Sequence, residues 1–587
     1  MDLSSLTPSQ EQAVRHRGGP LMVLAGPGTG KTRTLTNRLC LLLEEGAARP
    51  DQCLAITFTN KAAEEMRTRV EPICRKLRIK SQPKITTFHG FSYGFLTEWV
   101  HSPFQLLSEQ EAFSFLKEVV RGKDGTFPAL ALKELARHIS LAKNTMLSPE
   151  HPDQLTRWES YPQWPEIYRE YQKKLLQGKA WDFDELILQT VTLLEKDLNL
   201  REALQARYLF VFVDEFQDIN PLQYRLFQLL IQKEGEWMVI GDPNQAIYGF
   251  RGADSECFFR LQKEFSNVVT IQLKESFRLN QTILALSAQV LEGSSQGKVL
   301  PLHSAKKGEP QVPVAGLASA ESEGDYIAQL IEKAMGGLSL NYQDSKVGNG
   351  ATPHQPRSFA DFAVLYRLHA QGDQLAKTFI KKGIPFKKIQ EIHWAEQPEV
   401  RLILKDLRSR PDGNIEPSVA VERALAEMAI DHQALGIEGK EALRKLRLWA
   451  ATFRGSLKEF VETLSIQTGL DTYEPDQETV KLLTLHAAKG LEFPVVIIAG
   501  CEANLLPLTL LKESDLEEER RLFYVGLTRA GEELVLTWAK RRFLFGQNLN
   551  QRPSPFLDDM DVLLKQPISP EKAKTASRPK KKQLSLF

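Results

Sequence analysis

Two short runs in the first part of the chain hold residue types suited to phosphate chemistry. The first is Ala25-Gly26-Pro27-Gly28-Thr29-Gly30-Lys31-Thr32, which follows an apolar run and opens an amphipathic stretch. Glycines such as Gly28 and Gly30 let backbone N–H groups approach phosphate oxygens, and a helix N-terminus adds positive dipole. Lys31 would neutralise charge on β- and γ-phosphates, and the Thr32 hydroxyl would ligate Mg²⁺. Ala25 stands where the general pattern has its first glycine. The second run is Val211-Phe212-Val213-Asp214-Glu215-Phe216-Gln217-Asp218, in which a strand ends on two adjacent acids. Asp214 can hold a metal, and Glu215 can orient and deprotonate an attacking water. Alone, such acids at a strand end are usually just solvated. Behind a phosphate loop they read as the other half of a hydrolysis site.

Both runs need strands that end in loops, and the sequence supplies them. Leu21–Ala25, Leu54–Phe58, Val211–Val213, Trp237–Ile240, Phe362–Tyr366, Lys481–Leu485, Val495–Ala499 and Leu534–Trp538 predict buried strands. Leu35, Leu39 and Leu42 share one helix face after Thr32. The alternation predicts α/β lobes on parallel sheets. Two stretches, 94–200 and 409–471, are helical in pattern and read as insertions, while 341–358 is a Gly-, Pro- and polar-rich loop.

A length of 587 residues implies several domains, and 42% apolar with 25% charged residues excludes wholesale disorder. The five cysteines are scattered singly, which argues against zinc or iron–sulfur sites and suits a reducing compartment. Met1–Ser5 lacks a signal-peptide pattern and the longest apolar runs are strand-length, so the expectation is a cytoplasmic protein with no membrane segment. The net charge of +1 conceals an asymmetry: residues 571–587 hold six basic residues and one acid, leaving −4 on 1–570. Contact between the body and nucleic acid must then rest on local grooves, backbone groups and stacking.

Asp214-Glu215-Phe216-Gln217-Asp218 resembles the second motif of superfamily-one DNA helicases of the UvrD/Rep/PcrA type, and further motifs of that family follow in order. Leu6–Val14 resembles its Q motif, Ala55–Ala63 motif Ia, Thr87–Gly90 motif Ib, and Val239–Gly252 motif III. Leu273–Arg278 is similar to motif IV, Thr484–Phe493 to motif V, and Glu518–Ala530 to motif VI. The resemblance implies two RecA-like P-loop NTPase motor lobes, each with a helical insertion, and ATP with Mg²⁺ between them. It implies an ATP-dependent helicase or translocase, moving 3′ to 5′ on single-stranded DNA and acting at tailed duplex junctions in DNA repair or replication.

It also implies residue roles. Gln10 would read adenine, with Arg33 and Phe277 on its two faces. Gly490 and Glu492 fall at nucleotide positions, Glu492 as a ribose contact. Gln245 matches a γ-phosphate sensor, and Arg278 and Arg529 match arginine fingers from the second lobe. Phe58, Asn60, His89, Tyr248, Phe250 and His486 fall at positions that contact single-stranded DNA. Phe250 replaces the family's usual Trp, and for any of these aromatics core packing is the alternative.

The implied boundaries are 1–93 and 201–272 for the first lobe, 94–200 for its insertion, 273–408 and 472–565 for the second lobe, 409–471 for a shortened insertion, and 566–587 for a disordered basic tail. Ser276-Phe277-Arg278 replaces the usual Asn-Tyr-Arg of motif IV. Pro243-Asn244 is similar to the RecB-like branch, but nothing after Leu557 is long enough for that branch's nuclease. The short second insertion puts the family's grip on duplex in doubt and predicts weak processivity without a partner. Within it, Leu435–Lys440 is similar to a Gly-Ile-Gly turn that binds DNA backbone, an ordinary interhelical turn being the alternative. The terminal Gln583-Leu584-Ser585-Leu586-Phe587 resembles peptides that dock bacterial replication and repair proteins on the sliding clamp. Gln583 would make the polar contact, and Leu584, Leu586 and Phe587 would be the apolar anchors. Two other outputs fit the same motifs: a motor subunit of a helicase–nuclease complex, and a clamp-tethered DNA-binding ATPase without unwinding.

Overall fold

The apolar runs pair into two parallel sheets in the computed structural model. It describes residues 3–568 except 80, 100–103, 122–128, 152–153, 156–157, 159–160, 250–251, 255, 295–298, 309, 337–356, 390–393, 411–414, 429–436, 454–455, 458–459, 462–463, 465–477 and 511–514. The first sheet holds β1 (Leu21–Ala25), β2 (Cys53–Thr57), β3 (Lys84–Thr87), β4 (Phe210–Val213), β5 (Glu236–Gly241) and β6 (Val269–Leu273), in the order β3-β2-β4-β5-β1-β6. Its central strands are apolar on both faces because helices cover both. Along β4, Val211 and Val213 enter one core with Phe91, Phe227 and Trp237. Phe210 and Phe212 enter the other, with Leu35, Leu39 and Leu42.

The second sheet holds β7 (Val312–Leu317), β8 (Phe362–Tyr366), β9 (Phe386–Lys388), β10 (Val480–Thr484), β11 (Phe493–Ile498), β12 (Ala530–Ala539) and β13 (Lys565–Ile568). Their order is β9-β10-β8-β11-β12-β7-β13, again parallel throughout. The strands absent from the sequence reading are β3, β6, β9 and β13, all at sheet edges, and β7, next to an edge. Edge strands need little apolar surface; β6 exposes Val269 and Thr270, and β7 carries Pro313 and Gly316. β13 pairs with Val312–Ala315, so the tail boundary drawn at 566 falls inside a strand and is corrected to lie beyond Ile568.

Packing also moves the insertion boundaries. The helix Phe88–Trp99 belongs to the first-lobe core through Phe88, Phe91, Phe95 and Leu96, so position 94 cuts an element of the lobe. The insertion's own core begins near Leu107 and is built on Leu116, Leu135, Trp164, Tyr168 and Leu175. Inside it Lys143 is fully buried, 2.7 Å from Asp182 and 2.8 Å from Glu185. Asn220 Nδ2, just past the second acidic run, donates to Asn144 Oδ1 at 2.8 Å and joins lobe to insertion. In the second lobe the helix Pro398–Ser409 packs with Pro417–Glu427 and Ile437–Thr452 around Val400, Ile403, Val421, Leu443 and Leu446. That insertion therefore starts before Pro398, not at 409. Arg408 on it meets Glu111 of the first insertion at 3.2 Å. Leu435 and Gly436 of the Gly-containing run lie outside the described residues. Among the described residues no helix is long and apolar enough to cross a membrane.

Trp237 on β5 is 1% exposed, and its ring meets Phe227 and Phe265 edge-on. Among the described residues its indole N–H has no hydrogen-bond partner. Trp237→Ala should cost the first lobe about 3–5 kcal/mol in denaturant unfolding. Trp237→Phe, which deletes the orphaned donor and keeps an aromatic ring, should cost well below that.

Candidate nucleotide site and nucleic-acid interface

β4, β5 and β1 are neighbours, so the loops leaving their C-terminal ends converge. Thr32 Oγ1, at the start of the helix Lys31–Glu44, donates to Asp214 Oδ2 at 2.9 Å. Lys31 Nζ stands 3.6 Å from Glu215 Oε2. Gly28 and Gly30 turn the loop through left-handed backbone, with φ of +72° and +77°. Thr29 Oγ1 pins the loop by donating to Gly26 O at 2.8 Å. Gln10 is tied to the same loop: its Nε2 donates to Thr29 O at 2.8 Å, and its Oε1 accepts from Thr7 N at 3.1 Å. Glu215 holds a left-handed φ of +50°, unusual for a residue with a side chain. Gln217 Nε2 donates to Glu215 Oε2 at 2.6 Å, and Gln217 Oε1 accepts from Asp242 N at 3.0 Å. Gln245 Nε2 closes the row by donating to Asp242 Oδ2 at 2.8 Å.

The second lobe reaches this spot from several elements. Phe277 N donates to Gly28 O at 2.9 Å, and Ser276 Oγ donates to Pro27 O at 2.9 Å. A Cβ on Gly28 would sit 2.5 Å from Arg278 Cβ and 2.7 Å from Ser276 Oγ. Arg529, 2% exposed, is aimed by bonds to Val525 O and Leu491 O, and its Nη2 lies 3.4 Å from Gln245 Oε1. Arg278 pairs with Glu492 at 2.5 Å. Lys489 Nζ crosses to the first lobe, donating to Asp218 Oδ1 and to Gln245 O, each at 2.5 Å. Arg33 donates to Ser5 Oγ, and Phe277 is 44% exposed, so the cation and the ring expected around a base both lie at the open side of the loop. Gly490 takes a φ of +80° with no atom near its missing Cβ.

The charges are set by burial and by each other. Burial and the neighbouring Glu215 push the Asp214 carboxyl up to about 7. Burial would do the same to Glu215, but Lys31, helped by Lys489 and Arg529, outweighs it and holds Glu215 below its ordinary value. Burial raises Asp218 to about 6 even against Lys489. Burial and Arg278 bring Arg529 down to about 9. Thr32 and Asp214 suit a hard divalent cation. They are oxygen donors, and among the described residues no group of three His, Cys, Asp or Glu residues gathers into a cage. Most of the coordination would fall to phosphate oxygens and water, as Mg²⁺ prefers. A cation there would also keep Asp214 ionised.

The residues expected on a single strand follow the C-terminal ends of β2, β3 and β10, and the loop after β5. Phe58 is half-buried and stacks on Tyr248 at 5.5 Å and 9°. Tyr248 is 5% exposed with Lys489 Nζ 4.8 Å from its ring centre, so its ring is packed rather than open. Asn60 opens the helix Asn60–Lys76 behind the Thr59 cap. His89 is half-buried with Phe183 edge-on at 5.9 Å, and burial lowers its imidazole to about 4. His486 is half-buried just after β10. Phe250 lies outside the described residues, as do Gln583, Leu584, Leu586 and Phe587.

Sequence reading missed Gln217, Asp218, Asp242, Ser276 and Lys489, which carry the bonds between the expected residues. All of them lie within the motif runs, and that adjacency was the available signal. It also missed a hairpin, Arg541–Leu544 with Gln547–Asn550, on which Phe543 and Phe545 are 60% and 66% exposed. Phe545 has a φ of +51° at the turn.

Comparison with known proteins matches both halves of the chain. The UvrD/REP helicase N-terminal domain matches residues 6–266, and the UvrD-like helicase C-terminal domain matches 271–431 and 423–541. The chain is 29% identical to the ATP-dependent DNA helicase PcrA of Bacillus subtilis (strain 168), over 99% of this chain and 89% of that protein. It is 28% identical to the proteins of the same name from Staphylococcus epidermidis, over 98% and 89%, and Staphylococcus aureus, over 98% and 88%.

The tight seam at Gly28 yields a direct test. Gly28→Ala forces a side chain into left-handed backbone and against Ser276 and Arg278. Nucleotide hydrolysis, followed by phosphate release, should fall about 100-fold or more with the melting temperature little changed.

Proposed function

The chain belongs to the UvrD/REP helicase family, and we propose that it is an ATP-driven translocase that moves 3′ to 5′ along single-stranded DNA and opens duplex junctions in DNA repair or replication. The observation that carries this reading is the meeting of Arg278 and Arg529, from one lobe, with the phosphate loop, Glu215 and Gln245 of the other. In this reading the Gly28–Thr32 backbone and Lys31 hold the ATP phosphates. Thr32 and Asp214 hold Mg²⁺, which when bound neutralises phosphate charge and acts as a Lewis acid. Glu215, kept ionised by Lys31, orients the attacking water and accepts its proton. Arg278, Arg529 and Lys31 stabilise the charge that spreads over the γ-oxygens. Gln10 reads the adenine edge, Arg33 and Phe277 cover its faces, and Gly490 and Glu492 lie at the ribose.

Because the arginines belong to the second lobe, a γ-phosphate draws the lobes together and its loss releases them. Phe58, Asn60 and His89 on one lobe, with Tyr248 stacked behind Phe58, and His486 on the other would alternate their grip on the strand as this cycle runs. Phe250, within the motif III run, joins the first set. The protein works in the cytoplasm on the nucleoid. Its terminal Gln583–Phe587 docks on the bacterial sliding clamp through Gln583, Leu584, Leu586 and Phe587, which raises its local concentration on clamp-loaded DNA.

Strand displacement decides the main reading. Duplex with a 3′ tail should be opened and duplex with a 5′ tail should not; hydrolysis without unwinding, or the opposite polarity, overturns it. Lys31→Ala should reduce DNA-stimulated turnover on the order of 10²-fold or more while single-strand binding persists. Chelation with EDTA should stop turnover, and Mg²⁺ should restore it. Deleting residues 583–587 should abolish co-elution with the clamp; unchanged co-elution rejects that partner.

A further inference from the structure

The first insertion hangs on its lobe by two adjacent side chains at one helix end. The helix Ala129–Asn144 carries Leu135, Ile139 and Ala142 into the insertion core and ends on Lys143 and Asn144. Lys143 Nζ is buried and donates to Asp182 Oδ2 at 2.7 Å and to Glu185 Oε2 at 2.8 Å. Those acids open the helix Phe183–Lys196, which is rooted in the first-lobe core through Leu186, Ile187, Val191 and Leu194. Separating a buried ion pair strands a charge, so this attachment stays closed and Lys143 is tied to a fixed part of the lobe.

Asn144 reaches a second part of the lobe as well. Its Nδ2 donates to Asp184 Oδ1 at 2.9 Å, on the rooted helix, and its Oδ1 accepts from Asn220 Nδ2 at 2.8 Å. Asn220 stands just past Asp218, the acid that Lys489 of the second lobe holds, in the run that begins with Asp214 and Glu215. The loop after β5 arrives at the same point. A Cβ on Gly252 would sit 3.2 Å from Leu141 Cδ1 and 3.7 Å from Asn144 Cβ, and Asp254 N donates to Ile219 O at 3.0 Å. The segments that carry Glu215 and Gln245 thus both end at Asn144, while the neighbouring Lys143 belongs to the core. One fixed point beside one driven point makes a pivot. The helix has 16 residues and extends about 24 Å from that end, so a shift of Asn220 against the rooted helix grows along it. The amide also gives the link a direction, because Asn144 accepts from Asn220 and donates to Asp184 in a single orientation.

We propose that Asn144 is a positioning residue that turns the nucleotide state of the 214–220 run into a tilt of the first insertion, and so couples hydrolysis to strand opening. This rests on the helicase reading above. The test is the full chain with Lys117→Cys on the insertion and Lys233→Cys on the lobe, both exposed positions, labelled for energy transfer. The five native cysteines are buried, so the label goes to the introduced pair. A non-hydrolysable ATP analogue with Mg²⁺, added to protein on a single strand, should shift the transfer efficiency. In Asn220→Ser the hydroxyl still caps the helix Pro221–Leu230 but is too short to reach Asn144. There the shift should vanish and base pairs opened per ATP should fall about tenfold, while ATPase stimulated by single strand and the melting temperature stay unchanged. Asn144→Asp, which sets a carboxylate against Asp184, should also lose the shift. Adding Asp184→Asn, which exchanges donor and acceptor, should restore it. No shift in the wild type, a shift that persists in Asn220→Ser, or ATPase that falls together with the shift overturns the proposal. Failure of the helicase reading shows separately, as wild-type protein that gives the shift and displaces no strand, since the pivot is judged on energy transfer.

Discussion

The phosphate loop is hydrogen-bonded to the first residues of the second lobe, and the rest of the working centre depends on that seam. Gly28 has no side chain, which lets Ser276 and Phe277 lie directly on the loop. The contact sets where Arg278 stands and how near Arg529 comes to Gln245. It also brings Lys489 within reach of Asp218. A site split in this way lets one event be felt on both sides. A change of charge at the phosphates alters the attraction for cations that belong to the other lobe. The buried acids make this sensitive: Asp214 and Asp218 are raised by burial, and their charge is held by cations contributed from elsewhere.

Much of this was legible in the sequence, and the reasons are local. The phosphate loop and the acidic run are contiguous, so type and spacing within a few residues identify them. The central strands are apolar on both faces and could not be anything else at their length. The edge strands could not be read, because a strand with one neighbour needs little apolar surface; Lys84–Thr87 and Phe386–Lys388 offer one apolar side chain each, Ile85 and Phe386. The insertion boundaries were misplaced for a related reason. A helix such as Pro398–Ser409 has an apolar stripe whichever core it joins, and only packing decides which one receives it.

The residues that tie the site together were the least legible. Lys489 and Ser276 act across hundreds of residues of chain, and neither has a type that announces its target. Tyr248 shows which of two open alternatives packing selects. An aromatic in the right run reads as a stacking platform, yet its ring is covered by Phe58 and approached by Lys489. Exposure, which the sequence does not carry, separates a platform from a packed ring.

The two joints of the first insertion differ in chemistry. Asn220 and Asn144 meet as neutral, buried amides, whereas Arg408 and Glu111 meet as partly exposed ions. Ionic strength acts on the second and leaves the first almost untouched. In dilute buffer the insertions are latched to each other as well as to the first lobe; in concentrated salt the latch between them slackens while the mounting on the lobe holds. The contact between the insertions is thus tuned by the surrounding electrolyte, independently of the machinery that hydrolyses nucleotide.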